Sequence, residues 1–403
     1  MMQARWLDNT TPPHVFTLVI MAATSALAMN IFLPSLPAIA VFFDTEYRIA
    51  QLMVPVFLTA MALLQLVIGP MSDRFGRRPV LLVCYSIFIV ATIVSIYAPT
   101  IEFLLVCRVF QSFSAAGMVL SRAVVRDTVD HIDEAASRIG YVTMGMSLVP
   151  MVAPTIGGFL DELQGWQSTF WFTAAFGAIA LGLVYFDLGE TNRNPSPTML
   201  SQVRNYPELL RSRRFWGYAL TAGFTSGAFF AFLGGGPYIA TEFLNLSPSV
   251  YGIYFGLVAF GYMGGNFVSG RYSRVIGTNR MMLTGSIIAV VGILVSIALF
   301  AAGIIHPISL FLPAGLIGIG NGMTLPNANA GMVSIRPHLA GSASGLGGTL
   351  QIGSGALMAV LAAAVLFPGS GPNPLLYVML GSAALGVAST LYVIYVDWRV
   401  RHE

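Results

Sequence analysis

Arg108 lies inside an otherwise apolar run, 101–124, about seven residues or ~10 Å from its nearer end at 1.5 Å per residue. A guanidinium in hydrocarbon is costly, so such a residue reads first as functional, holding an anion or coupling to a titrating acid. Gln111 and Ala115 fall on its helical face at i+3 and i+7, placing an amide beside a small residue. The competing reading is that Arg108 snorkels to the surface or bonds carbonyls freed where neighbouring helices kink. Gln111 suits interhelical bonding as well as it suits ligand contact. Asn30, some 15 residues into the first apolar run, reaches a similar height and is expected to face Arg108 across a cavity. An amide does not exchange a proton at physiological pH. No Asp, Glu or His stands near the middle of another run, since Asp44, Glu46, Glu102 and Glu242 lie near the ends. Arg108 reads as the one charge deep in a run, which would make the cavity positive and favour anionic or zwitterionic substrates. Proton exchange would then fall to an end-placed acid such as Glu102 or Glu242.

Other residues extend this candidate site. The tenth apolar run carries Asn321, Thr324, Asn327 and Asn329 with Pro326, which suits a binding or gating segment or, equally, a polar seam between helices. Tyr238 follows Gly234-Gly235-Gly236-Pro237, and Gln351 completes the polar set assigned to the cavity. The fifth run holds Gly145, Pro150, Pro154, Gly157 and Gly158, residues that bend a helix and let another approach closely. Between the second and third runs, Gly69 to Pro79 packs Asp73, Arg74, Arg77 and Arg78 into a short turn around Gly76. A fainter copy lies 201 residues on, where Gly270, Ser273 and Gly277 match Gly69, Ser72 and Gly76 in a chain of 403 residues. Such self-similarity implies two related halves.

The elements that position these residues are membrane helices. Only 9% of residues are charged, 56% are apolar and the mean hydropathy is +0.76, against about 25% charged in a soluble domain. Runs long enough to cross a core of about 30 Å fall near 14–41, 50–71, 79–98, 101–124, 139–160 and 168–188. Six more fall near 215–241, 250–270, 281–304, 309–333, 341–367 and 375–396. The fold class expected is all-α, with 12 transmembrane helices in two pseudo-symmetric six-helix bundles and both termini cytoplasmic. The bundles are 1–189 and 215–403, joined by a polar arginine-rich linker, 190–214. Arginines from Arg5 through the turn and the linker to Arg401 crowd the loops on one side, whereas the opposite loops hold only Arg48, so the crowded side is cytoplasmic. Cys84 and Cys107 fall inside helices as small apolar residues, with no metal-ligand spacing around them. The first run is too long for a signal-peptide core and reads as a retained helix.

The pattern Gly69-x-x-x-Asp73-Arg74-x-Gly76-Arg77-Arg78, in the loop between spans two and three, resembles the major facilitator superfamily over nearly the whole chain. A narrower resemblance is to its drug:proton antiporter branch and the Bcr/CflA multidrug-efflux group. It rests on Met29 to Pro37, on Arg108-Val109-Phe110-Gln111, on Arg126-Asp127 and on Ala153-Pro154-Thr155-Ile156-Gly157-Gly158. Gly165-Trp166, Phe170-Trp171, Gly236-Pro237-Tyr238, Tyr251 to Phe255 and Ala340 to Gly345 add to it. Asn30 departs from the group, which usually has aspartate there.

The resemblance implies a monomeric transporter of the bacterial inner membrane that exports drugs or metabolites and needs no cofactor, driven by the proton-motive force. It has the lipid bilayer around it and no nucleic-acid partner. It implies that Arg108 lines the central cavity. It assigns Pro150, Pro154, Gly157 and Gly158 to a hinge and leak barrier between the halves. It also implies that Asp73 latches the cytoplasmic side by pairing with Arg126, near Gly341. Two alternatives stay open: a uniporter or anion-coupled carrier, favoured by Asn30, and a membrane-embedded enzyme, for which no nucleophile–base set is present.

Overall fold

The computed structural model describes residues 6–128, 132–192, 206–335, 340–367 and 369–402, and among these it contains helices and no strands. The expected linker, 190–214, falls largely outside the described residues. The N-terminal helices are α1 (Val15–Asn30), α2 (Leu36–Phe42), α3 (Tyr47–Gln51), α4 (Met53–Phe75), α5 (Arg77–Ile96), α6 (Ile101–Gln111), α7 (Ala115–Thr128), α8 (Ile132–Gln164) and α9 (Gln167–Asp187). After the short α10 (Tyr206–Leu210) come α11 (Arg213–Tyr238), α12 (Pro248–Ile276), α13 (Thr278–Ala301), α14 (Pro307–Ser334), α15 (Ala340–Val365) and α16 (Asn373–His402). Among the described residues, ten helical stretches are long and apolar enough to cross a membrane. The expected fifth and eighth spans fall on α8 and α12, continuous helices of 33 and 29 residues that do not join that count. α8 begins beside Asp133 and Glu134 and ends in Asp161 and Glu162, while α12 is rich in glycine.

Three of the apolar runs are broken helices. The first bends at Leu33–Ser35, where Pro34 supplies no N–H to the ladder. The fourth tightens into a 3₁₀ turn at Ser112–Ser114, and the seventh ends in a π-turn at Ile239–Phe243, just beyond Pro237. Breaks of this kind free backbone carbonyls for side-chain partners.

The 201-residue repeat is visible in the backbone. Gly76 has φ 97° and ψ 152° and joins α4 to α5, and Gly277 has φ 90° and ψ 144° and joins α12 to α13. A side chain is strained in that conformation, which explains a glycine at both corners.

A second likeness was not legible in the sequence. Asp187, at the end of α9, is fully buried and accepts from the Leu7 and His14 backbone N–H groups, both at 2.9 Å, and from Thr17 Oγ1 at 2.6 Å. Asp397, near the end of α16, accepts from Arg214 Nε at 2.6 Å, Tyr218 Oη at 3.0 Å and Asn279 Nδ2 at 2.8 Å. Each acid ties the last helix of its set to the first. Hydrogen bonds to a charged group contribute about 1.5–3 kcal/mol. Asp187→Asn and Asp397→Asn should each lower the thermal stability of the purified protein by a cost of that order, read as a lower melting midpoint in detergent.

The cores show where the two sets adhere. One cluster, built around Phe57, Leu81, Tyr85, Phe88 and Leu120, belongs to the N-terminal helices. Another, around Phe215, Tyr218, Met282 and Met332, belongs to the C-terminal helices. The largest joins both, bringing Phe32, Leu36 and Met53 together with Phe232, Tyr251, Phe311 and Leu375. It lies at the end away from the charged turn, where α8 packs on α12; α4 packs on α15. That end is called the acidic end below, and the end carrying Gly69 to Pro79 the basic end.

Candidate functional site

Arg108 is 1% exposed and sits within the N-terminal helices, not in a cavity between the two sets. Its Nη1 donates to the Ala28 carbonyl at 3.1 Å and to Gln111 Oε1 at 2.8 Å, and its Nε donates to the Met53 carbonyl at 3.3 Å. The rings of Phe32 and Phe57 cover the guanidinium, with centroids 4.2 and 4.4 Å away. Ala28 lies in the last turn before the break in the first run, so its carbonyl is one that the break frees. The space around Arg108 is closed off by Phe32, Thr169, Phe170 and Thr173. In this structure Arg108 therefore binds carbonyls within its own set and does not line a cavity between the sets. Aromatic faces and carbonyl dipoles stabilise the cation where no carboxylate does.

Asn30 does not face Arg108. Its Nδ2 donates to the Ala26 carbonyl of its own helix at 2.7 Å, while its fully buried Oδ1 has no hydrogen-bond partner. Gln111 spends its amide on Ser95 Oγ at 3.1 Å, so it is an interhelical linker. Asn327 bonds Ser269 Oγ at 2.8 Å and the Met323 carbonyl at 2.7 Å, which makes the tenth run a seam against α12. Asn321 is buried beside it with an unpartnered Oδ1. Gln351 is half-buried on α15, and its backbone carbonyl lies 3.5 Å from Ser226 Oγ. Tyr238 belongs to the acidic end, where its hydroxyl donates to the Phe367 carbonyl at 2.7 Å and its ring lies 4.9 Å from that of Tyr47. The polar residues expected in one cavity are thus spread over several packed seams.

The hinge residues do meet across the two sets. α8 runs unbroken through Pro150 and Pro154, and its adjacent glycines face different neighbours. A Cβ on Gly157 would strike the Ile31 carbonyl of the first run, and one on Gly158 would lie 2.7 Å from Ser249 Cα of α12. From the other side, a Cβ on Gly252 would lie 2.5 Å from Thr155 Cα. Thr155 Oγ1 donates to the Gly252 carbonyl at 2.9 Å, and the Ser249 N–H donates to Glu162 Oε1 at 3.0 Å. Tyr47 Oη donates to the Gly234 carbonyl at 3.2 Å, and Thr349 Oγ1 to the Ala62 carbonyl at 3.3 Å. Among the described residues, every hydrogen bond between the sets lies at the acidic end or at mid-height.

At the basic end the charged turn is knit within its own set. Asp73 pairs with Arg77, whose Nε also reaches Asp127 Oδ2 at 2.9 Å. Ser72 Oγ caps the Gly69 carbonyl at 2.8 Å. Glu190 accepts from the N–H groups of Arg77 and Arg78, at 2.9 and 3.2 Å, and its carboxylate fills the space that a side chain on Gly76 would need. Arg78 Nη2 donates to the Tyr185 carbonyl at 2.8 Å, and Arg74 lies over the Phe75 ring. Arg77 therefore takes the place expected of Arg126, which is exposed on α7. The expected meeting with Gly341 adjoins residues 336–339, outside the described residues.

The sequence profile of the Major Facilitator Superfamily matches residues 18–359. The chain belongs to that superfamily. It is 32% identical to the MFS-type transporter YdgK of Bacillus subtilis over 357 residues, covering 86% of this chain and 87% of that one. It is 29% identical to multidrug resistance protein D of Escherichia coli, over 90% and 92% of the two chains. With a bicyclomycin resistance protein homolog of Haemophilus influenzae it shares 26%, over 91% and 92%. A bacterial homolog of the human lysosomal transporter Spinster has the same fold at a TM-score of 0.71 and 17% identity, over 95% and 96%. The resemblance read from the motifs is borne out: this facilitator is a multi-pass membrane transporter with drug-resistance relatives, and not an enzyme.

One charged residue of this facilitator escaped the sequence reading. Arg122 also lies within an apolar run, six residues before the end of α7, and it is exposed between buried Ser121 and Ala123. Its spacing from Arg126 at i+4 was the available signal.

Proposed function

We propose that this facilitator exports small organic molecules across the bacterial inner membrane by alternating access. Twelve spans form two bundles, 1–189 and 215–403, joined by the 190–214 linker, with both termini cytoplasmic, and the protein works as a monomer without a cofactor. The observation that carries this reading is the asymmetry of adhesion: among the described residues, the helix sets bond to each other at the acidic end and at mid-height, while Asp73 and Arg77 of the basic-end turn pair within their own set. A seam closed at one end and parted at the other is one state of a rocking carrier. The arginine excess around the turn supports a cytoplasmic basic end, and the drug-resistance relatives support outward transport of drugs or metabolites. Exchange for protons, driven by the proton-motive force, is the energy source this reading assigns. The test is substrate-driven proton movement in proteoliposomes under an imposed pH step; substrate flux without proton movement removes antiport and leaves the carrier.

A second reading, transport without proton exchange, is favoured by Asn30, whose buried Oδ1 has no partner where the resembling group carries an acid. Asn30→Asp supplies a group there that can carry a proton. Substrate-driven proton movement should appear, or exceed the parent's, if coupling runs through this position. Unchanged proton movement would place coupling elsewhere.

A further inference from the structure

α7 is wrapped by α1, α4, α5 and α8 of its own set. Along its length, Ala115, Ala116, Gly117, Leu120, Ser121, Ala123, Val124 and Val125 are buried. The residues left open within the apolar stretch are Met118, Val119 and Arg122, and Arg126 continues the stripe one turn further on. Positions 118, 122 and 126 repeat at i+4 and lie on one face of the helix. Its other faces are packed, and the reach of Arg122 to the opposite set turns this stripe toward α12. Tyr262 of α12, from the opposite set, is half-buried and lies within electrostatic reach of Arg122.

Arg122 makes no ion pair and no hydrogen bond among the described residues, and its nearest charged neighbour on the stripe is another arginine. Like charges at i and i+4 repel, and a cation within a membrane span is retained at a cost unless something compensates it. Arg108 shows how this protein compensates a buried guanidinium, with two backbone carbonyls, an amide oxygen and two aromatic faces. Arg122 has no such hydrogen bond or ring contact among the described residues. Beside it stand the phenol of Tyr262 from the opposite set and, on its own helix one turn away, the half-buried side chains of Met118 and Val119.

We propose that Arg122 is an anion-binding residue of the basic-end opening, holding the carboxylate of an amphipathic aromatic acid against Tyr262 while Met118 and Val119 contact its apolar body. The site deepens the transport reading and rests on it for its purpose, since the ligand would be a transported substrate or its inhibitor. Arg suits the role because its planar fork meets a carboxylate with two parallel hydrogen bonds.

The test compares 4-phenylbenzoate with its neutral isostere 4-phenylbenzamide, by calorimetry on the full chain in nanodiscs. The parent is expected to bind the carboxylate at least tenfold more tightly than the amide. Arg122→Gln should reduce that preference to below threefold and leave amide binding unchanged, and Arg122→Lys should keep part of it. Equal binding of both probes by the parent overturns the proposal, as does an Arg122→Gln protein that keeps its tenfold preference. If Arg122→Gln does not give a folded protein, the decision passes to Arg122→Lys and Tyr262→Phe: an unchanged preference in both overturns the site. Efflux of both probes from proteoliposomes separates this site from the transport reading. Movement of the amide without carboxylate preference removes the anion site alone, and carboxylate preference without any movement removes transport alone.

Discussion

Valine at Gly158 or at Gly252 is expected to drive the protein out of the conformation seen here and to stop turnover while leaving membrane insertion normal. At both positions the added side chain meets backbone, at 2.7 Å from Ser249 Cα and 2.5 Å from Thr155 Cα, so neither clash is relieved by a rotamer change. Overpacking at a rigid contact costs about 1–3 kcal/mol or more. With a factor of ten for every 1.4 kcal/mol, the population closed at the acidic end should fall by about 10–100-fold. Spin labels on Thr45 and Leu244 report it directly, because their separation should lengthen as that end parts. Transport should drop at least tenfold in the same variants. Gly264→Val, on the same α12 but with nothing within 4 Å of an added Cβ, should match the parent in both measurements. Unchanged label distances in Gly158→Val and Gly252→Val would mean that α8 and α12 do not form the barrier.

The close approach of α8 to α12 was more legible in the sequence than the placement of the polar residues. Pro154, Gly157 and Gly158 are legible because glycine and proline act through the backbone, and their spacing alone says where a neighbour approaches. The corner glycines are legible for the same reason: Gly76 and Gly277, 201 residues apart, carry φ values of 97° and 90°. Polar side chains are different. Asn30 and Arg108 do lie deep in apolar runs, but helix height does not determine which way a side chain points once the first run breaks at Pro34. Asn30 turned to its own helix and Arg108 to the freed Ala28 carbonyl. The acids Asp187 and Asp397 gave no local signal, because their partners lie up to 180 and 183 residues away. Arg122 was obscured by closeness to the run's end, where an arginine reads as an interfacial anchor.

Arg108→Ala should destabilise the N-terminal helices by about 3–5 kcal/mol, the size of a large core deletion, and should leave substrate charge preference nearly unchanged. The stability loss has three sources. The Gln111 Oε1 and the carbonyls of Ala28 and Met53 lose a charged donor inside the protein, and orphaned buried acceptors cost about 1–3 kcal/mol each before relaxation. Phe32 and Phe57 lose the cation between their faces, and a void opens where a fully buried side chain stood. Arg108→Met restores most of the volume but not the donors, so its melting midpoint should fall between those of the parent and the alanine protein. Charge preference should stay put because the guanidinium is sealed from the space between the sets. The outcome that would sink this account is an Arg108→Ala protein that melts like the parent yet no longer distinguishes the carboxylate probe from the amide. Arg108 would then face the ligand in the working protein, as the sequence first suggested. The expected result is the opposite division of labour between the two arginines of the fourth run: Arg108 holds broken helices together by satisfying their carbonyls, and Arg122, near the inner end of that run and without an ion pair or hydrogen bond among the described residues, meets the anion.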